Sequence, residues 1–173
     1  MRSGLFLLSA PLAALLPAAA VAGFTFPSID GGTIDLDAFE GRPVLVVNTA
    51  SLCGFAPQFD DLQALHDRYA DRGLVVLAVP SDDFRQELAS ASEVKEFCAT
   101  NFDLTIPMTD ITPVTGDKAH PFYRWLAETE GFVPGWNFNK VLLDGDGDVV
   151  ATWGSVMRPT AQPVIGKIEA LLP

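Results

Sequence analysis

The apolar positions of this chain fall into short unbroken runs and longer spaced series, and the two kinds alternate. "PVLVVNTA", Pro43 to Ala50, is continuous and rich in valine, the pattern of a strand buried on both faces. From Pro57 to Arg72, Leu62, Leu65 and Tyr69 recur at helical spacing, and Gly73 supplies a stop. "LVVLAVPS" predicts a second buried strand over Leu74–Val79, closed by Pro80. In "SASEVKEFCATNF", Ser90 and Glu93 form a capping box ahead of a short helix carrying Val94, Phe97 and Cys98. "HPFYRWLAETEG" predicts another short helix with Pro121 near its start, and "TAQPVIGKIEALL" a C-terminal one. "NKVLLDGDGDVVATW" reads as two strands about a glycine-containing turn, and "FTFPSIDGGTIDLDAFEGR" as a hairpin bent at Gly31-Gly32. The order is strand, helix, strand, helix, hairpin, helix. It predicts an α/β domain whose central mixed sheet is parallel at its core, antiparallel at one edge and flanked by helices. A thioredoxin-like fold is the economical arrangement, and no repeat or linker divides it.

The first residues follow a different pattern. Arg2 precedes an apolar run from Leu5 to Leu16, and Ala20-Val21-Ala22 fits a small-residue cleavage site. The run is too short, and too interrupted by Pro11 and Pro17, for stable membrane insertion. We read residues 1–22 as a cleaved signal peptide and 23–173 as the mature domain, exported to a compartment such as a bacterial periplasm. A buried N-terminal helix is the plainer alternative.

Charge narrows the function classes. The net charge is −11, and loss of Arg2 takes it to −12. Such a chain is a poor match for nucleic acid or an anionic membrane surface. The two histidines and two cysteines are too dispersed for a zinc site. Asp144 to Asp148 lacks the glycine and the closing glutamate of a calcium loop and is expected to be a hairpin turn. No phosphate loop or dinucleotide fingerprint is present, so no cofactor is expected.

Chemistry then centres on the cysteines. Cys53 lies in "NTASLCGFAPQF", where a core strand runs out and a helix begins. Unpaired backbone N–H groups and the helix dipole at such a junction favour a thiolate, the nucleophile toward peroxides and disulfides. The C-x-x-C pair of thioredoxin-type reductases is absent, because Ala56 stands at its second position. An inert buried cysteine, or a permanent Cys53–Cys98 bridge in an exported protein, remains open on these grounds.

Three segments together resemble the glutathione peroxidase family. "NTASLCGFAPQF" is similar to its N-V-A-S-x-C-G-x-T signature, in which the Cys position holds selenocysteine or cysteine. "VPSDDFRQE" is similar to F-P-C-N-Q-F-G-x-Q-E, and "WNFNKVLLDGDG" to W-N-F-x-K-F-L-V-x-x-x-G. The resemblance implies a thiol peroxidase in which Cys53 is the peroxidatic residue. Trp136 and Asn137 would lie beside it, donating hydrogen bonds to the thiolate and to the developing charge on the peroxide. The second segment departs from the pattern. Asp82 and Asp83 stand where the family has Asn and Gln, and the chain is one residue shorter, with Arg85 and Gln86 following Phe84. Asp83 is the expected fourth site residue, although an ionised carboxylate accepts hydrogen bonds without donating them.

The resemblance also gives Cys98 the place of a resolving cysteine, which would condense with the Cys53 sulfenic acid to a disulfide. The expected partners are a hydroperoxide and a thioredoxin-like dithiol reductant, or glutathione. The segment between "YRWLAETEGF" and "WNFNK" lacks the insertion of tetrameric members, which implies a monomer with an open site for hydrogen peroxide and bulky organic or lipid hydroperoxides. The rival readings are a thiol-disulfide carrier of the same fold and a non-catalytic domain with a structural disulfide.

Overall fold

The computed structural model describes residues 23–173, so the signal peptide expected over 1–22 lies outside it. The hairpin is β1 (Thr25–Pro27) against β2 (Thr33–Asp35), antiparallel, with Gly31 and Gly32 at φ +88° and +75° in its turn. The central sheet has β3 (Val44–Thr49), β4 (Val75–Pro80), β5 (Lys140–Leu143) and β6 (Val149–Trp153) in the order β4-β3-β5-β6. β3 and β4 pair in parallel; β5 runs antiparallel to β3, and β6 to β5. This is the mixed sheet the alternating pattern predicts.

Every residue of β3, β4 and β5 is buried, which explains their unbroken apolar runs. Alternate side chains divide between two cores. Leu45, Val47, Val76, Ala78 and Leu142 meet α1 (Gln58–Tyr69), α2 (Ala91–Phe102) and α4 (Gln162–Leu171) through Phe59, Leu62, Val94, Val164 and Ile168. Val44, Val46, Leu77, Val141 and Leu143 belong to the other core, with Phe26, Phe122 and Leu126 of the hairpin and of α3 (Pro121–Thr129). Each buried Leu or Phe contributes about 1.5–3 kcal/mol over its exposed state, so both layers hold the sheet firmly.

The expected ends hold to within a residue or two. α1 tightens into a 3-10 turn over Ala70–Arg72 and stops at Gly73, whose φ of +109° a side chain would resist. Ser90 caps α2, its hydroxyl accepting from the Glu93 N–H at 3.3 Å. His120 caps α3 ahead of Pro121, accepting from the Phe122 N–H at 3.3 Å. Asp144 is the hairpin turn, its carboxylate accepting from the Asp146 and Asp148 N–H groups. Among the described residues, no helix is long and apolar enough to cross a membrane.

Candidate functional site

Three loops converge where β3 and β4 end and β5 begins. The first leaves β3 through Ala50, Ser51, Leu52 and Cys53. The sequence suggests that Cys53 heads a helix; α1 begins only at Gln58. Between them the chain coils in tight turns, with Cys53 N–H on Ala50 O (3.4 Å), Ala56 N–H on Cys53 O (2.9 Å) and Phe59 N–H on Ala56 O (2.9 Å). A helix dipole fades within a turn, so the local donor matters more. That donor is the Phe55 N–H, 3.4 Å from Cys53 Sγ. Cys53 is 5% exposed, while its neighbour Leu52 is 59% exposed. The sulfur therefore lies just beneath an apolar rim. A shallow cavity of about 280 Å³ beside it is lined by Gly54, Phe55, Pro57, Gln58, Val156 and Arg158.

The second loop carries Trp136 and Asn137. Asn48, the penultimate residue of β3, pins it at several points. Its Nδ2 donates to Trp136 O (3.0 Å), its Oδ1 accepts from Asn139 N–H (3.1 Å) and its carbonyl accepts from Phe138 N–H (2.6 Å). Phe138 sits at φ +59°, a left-handed conformation rare for an aromatic residue. Its fully buried ring, edge-on to Phe59 at 5.2 Å, helps hold it there. The outcome is a split presentation: Trp136 remains 41% exposed, while Asn137 is completely buried.

The third loop follows β4. Phe84 packs its ring 5.3 Å from that of Trp136. Asp83 is turned away from the other two loops. Its Oδ2 accepts from the N–H groups of Val114 (2.6 Å) and Thr115 (2.8 Å) and from the Thr115 hydroxyl (3.1 Å). A carboxylate offered three donors in one loop has a better place there than beside a second anion. The residue that reaches the site is Gln86. Its side-chain oxygen accepts from Asn137 Nδ2 at 3.0 Å, and its carbonyl accepts from the Leu52 N–H at 2.9 Å, next to Cys53. Sequence reasoning passed over Gln86. The closing Q-E of the second motif, which Gln86 and Glu87 match, is the available signal, and Arg85 before it takes a tight left-handed turn at φ +56°.

Glu87 is the second unforeseen group. Its Oε1 accepts from the Ser51 N–H (3.0 Å) and the Leu88 N–H (2.9 Å), and its Oε2 is buried without a partner. Burial holds this carboxyl above its usual range, the hydrogen bonds opposing that shift and the charge of Asp82 adding to it. Cys98, on α2, is 1% exposed and belongs to the same core as Cys53; both are free thiols. Burial pushes the Cys98 thiol up to about 12, with the charge of Glu87 contributing. Among the described residues, no group of three His, Cys, Asp or Glu side chains could hold a metal ion.

Comparison with known proteins shows the family to which the chain belongs. The glutathione peroxidase family model matches residues 21–127. The hydroperoxy fatty acid reductase gpx1 of Synechocystis sp. is 41% identical over 161 residues, 87% of this chain and 94% of its own. The glutathione peroxidase-like peroxiredoxin gpx1 of Schizosaccharomyces pombe is 37% identical over 75% of this chain and 85% of its own. Among solved structures, Trgpx in its apo form is 33% identical, with 90% of this chain and 100% of that chain covered and a TM-score of 0.66.

Proposed function

Because the chain belongs to the glutathione peroxidase family and is a thiol peroxidase that reduces hydroperoxides, we propose that its chemistry begins at Cys53. The observation that carries this is the setting of the sulfur. Cys53 lies on the loop that leaves the central strand β3, receives the Phe55 N–H, and is joined through Leu52 and Gln86 to the buried amide of Asn137.

The Cys53 thiolate attacks the terminal peroxide oxygen. An S–O bond forms as the O–O bond breaks, leaving a sulfenic acid and an alkoxide that takes a proton to become the alcohol. The Trp136 indole N–H and the Asn137 amide serve as neutral donors to the charge that develops. Cys98 then attacks the sulfenic sulfur. The S–S bond forms, the S–O bond breaks, and the thiol proton leaves with the hydroxyl as water. A disulfide requires Cα atoms about 4–7 Å apart. Where the two cysteines lie beyond that reach in the reduced fold, local unwinding of α2 brings them together; the helix has 12 residues, near the length at which isolated helices are marginal.

The exposed apolar rim supports a substrate class. Leu52 precedes Cys53 in the chain, Val156 lines the cavity with Gly54 and Phe55, and both, with Trp136, are exposed, whereas the thiol itself is nearly covered. We assign organic and lipid hydroperoxides to this rim alongside hydrogen peroxide, in keeping with the name of the Synechocystis relative. A thioredoxin-like dithiol fits an intramolecular disulfide better than glutathione, which would have to reduce it in two steps. Export and a monomeric state complete the proposal; N-terminal sequencing of the mature protein and its mass in solution test them. Ala56 argues against a thiol-disulfide carrier, which needs its second cysteine there.

Two substitutions test the core of this reading. Cys53→Ser should abolish turnover, because a hydroxyl is not appreciably ionised at neutral pH. Turnover above about a tenth of wild type removes Cys53 from the role. Cys98→Ser should allow one fast oxidation, trap a sulfenic acid and stop turnover with a thioredoxin-type reductant. Full turnover in that variant makes Cys98 a core residue only.

A further inference from the structure

The first glutamine of the family's second motif is replaced here by Asp83, and that acid is bound to the Val114–Thr115 loop. The site nevertheless contains a glutamine amide, delivered by a different residue. Gln86 meets Asn137 side chain to side chain at 3.0 Å, and its backbone carries the Leu52 N–H at 2.9 Å, so one residue touches both the loop of Cys53 and the loop of Asn137.

The two amides are unequally placed. Asn137 is completely buried, and its Oδ1 has no partner. Gln86 is half-buried, so whichever end faces away from Asn137 can find water. In the pairing seen, Asn137 gives its NH2 to Gln86 and leaves its Oδ1 buried without a protein partner. That is a costly arrangement, and one that would repel an anion. If both amides turn end over end, the shape is unchanged. Gln86 Nε2 then donates to Asn137 Oδ1, and the Asn137 NH2 occupies the interior position, where it can receive negative charge.

We propose that Gln86 is the positioning residue of this site: its amide sets which end of Asn137 is presented to the reacting groups, the task that position 83 leaves undone. This rests on the reading of Cys53 and Asn137 given above. Gln86 acts through Asn137. Its value lies in being both acceptor and donor, so that it accommodates the neutral thiol with one orientation and the thiolate and peroxide charge with the other.

The test uses reduced full-length mature protein and hydrogen peroxide, with Cys53 oxidation followed by tryptophan fluorescence from about pH 5 to about pH 9. Wild type is compared with Gln86→Met, which keeps length and loses both hydrogen-bonding ends, and Gln86→Glu, which only accepts. Gln86→Glu holds Asn137 with its NH2 turned toward position 86. Its rate should fall about 100-fold, the lower end of the scale of a lost site donor, and its pH profile should move upward. Gln86→Met should fall less, with its thermal midpoint close to wild type. The added charge of the Glu variant is separated by repeating the profile at about 0.05 M and about 1 M salt, because screening weakens a partly exposed charge and leaves a hydrogen-bond orientation in place. A Gln86→Glu defect that persists at high salt supports the inference. A defect that vanishes in high salt, or wild-type profiles in both variants, or lowered stability with unchanged rates, overturns it. Inactivity of Cys53→Ser alongside wild-type behaviour at position 86 would sink this inference alone. Activity of Cys53→Ser would sink the underlying assignment.

Discussion

Cys98 is a thiol whose burial, together with the charge of Glu87, pushes its ionisation up to about 12. At neutral pH it is protonated, and so it leaves the first attack on peroxide to Cys53. Its own reaction then requires loss of a proton, and Glu87 opposes this for as long as its carboxylate is ionised. Glu87→Gln preserves the oxygen that accepts from Ser51 and Leu88 and removes the charge. The sign follows: with the like charge gone, the thiolate is less disfavoured and the Cys98 ionisation moves down from about 12. We expect disulfide formation after one equivalent of hydroperoxide to accelerate in this variant above neutral pH, with the first oxidation of Cys53 little changed. Stopped-flow fluorescence with thiol counting separates the two phases. Superimposable pH profiles for the second phase would mean that the field of Glu87 is spent elsewhere.

Among the elements, the loop from Trp136 to Asn139 depends on β3. Asn48 supplies a donor, an acceptor and its backbone to that loop, and it is 2% exposed. Asn48→Ala leaves the Asn139 N–H without its side-chain acceptor, at a cost of about 1–3 kcal/mol. It also frees a loop that Phe138 holds in a strained conformation. The free energy of unfolding should fall by that amount, and the peroxide rate should drop about tenfold or more, because a small misplacement of donors is amplified in rate. Loss of stability with the rate intact would limit Asn48 to a structural role. Much of this element-level design is legible in the sequence. β3, β4 and β5 announce themselves as apolar runs because both their faces are covered, and the caps of α2 and α3 are written in Ser90 and His120. The site is less so. Cys53, Trp136 and Asn137 stand in quotable motifs, whereas the Gln86–Asn137 bond spans 51 positions and is fixed by the way Arg85 turns the chain. Asp83 looks like the site acid until the Val114 and Thr115 N–H groups are seen to claim it. No local pattern encodes a partner chosen by tertiary placement.

At the scale of the whole molecule, stability should depend on pH through groups far from the peroxide. Lys140 is fully buried at the start of β5, its Nζ donating to Gln58 Oε1 at 2.6 Å. Desolvation lowers its ionisation from 10.5 to about 7, with Asp61 opposing the shift. Below about pH 7 this lysine is charged in both the native and unfolded chains, and the native state bears the full desolvation cost. Between about 7 and 10.5 the native lysine is neutral while the unfolded one still holds its proton. The unfolded chain then binds more protons, so this group makes stability rise with pH, by at most about 1.4 kcal/mol per unit. Cys98 acts in the opposite sense. Raised from 9.0 to about 12, it stays protonated in the native state while the unfolded thiol ionises, so its contribution is lost as pH climbs beyond about 9. Tyr123, buried and raised above its usual 10.0, acts in the same direction at slightly higher pH. Stability of the reduced protein should therefore rise from about pH 7, level off once Cys98 begins to offset Lys140 at about pH 9, and fall only beyond about pH 10, where Tyr123 adds to the loss. Urea midpoints at half-unit pH steps measure the curve. Lys140→Met should flatten the rise above pH 7, and Cys98→Ser should let that rise continue past pH 9. Self-repulsion within so acidic a chain also grows with pH, but salt screens it and the Lys140→Met difference does not depend on it. A rise of equal slope in Lys140→Met and wild type would mean that this buried lysine keeps its proton throughout.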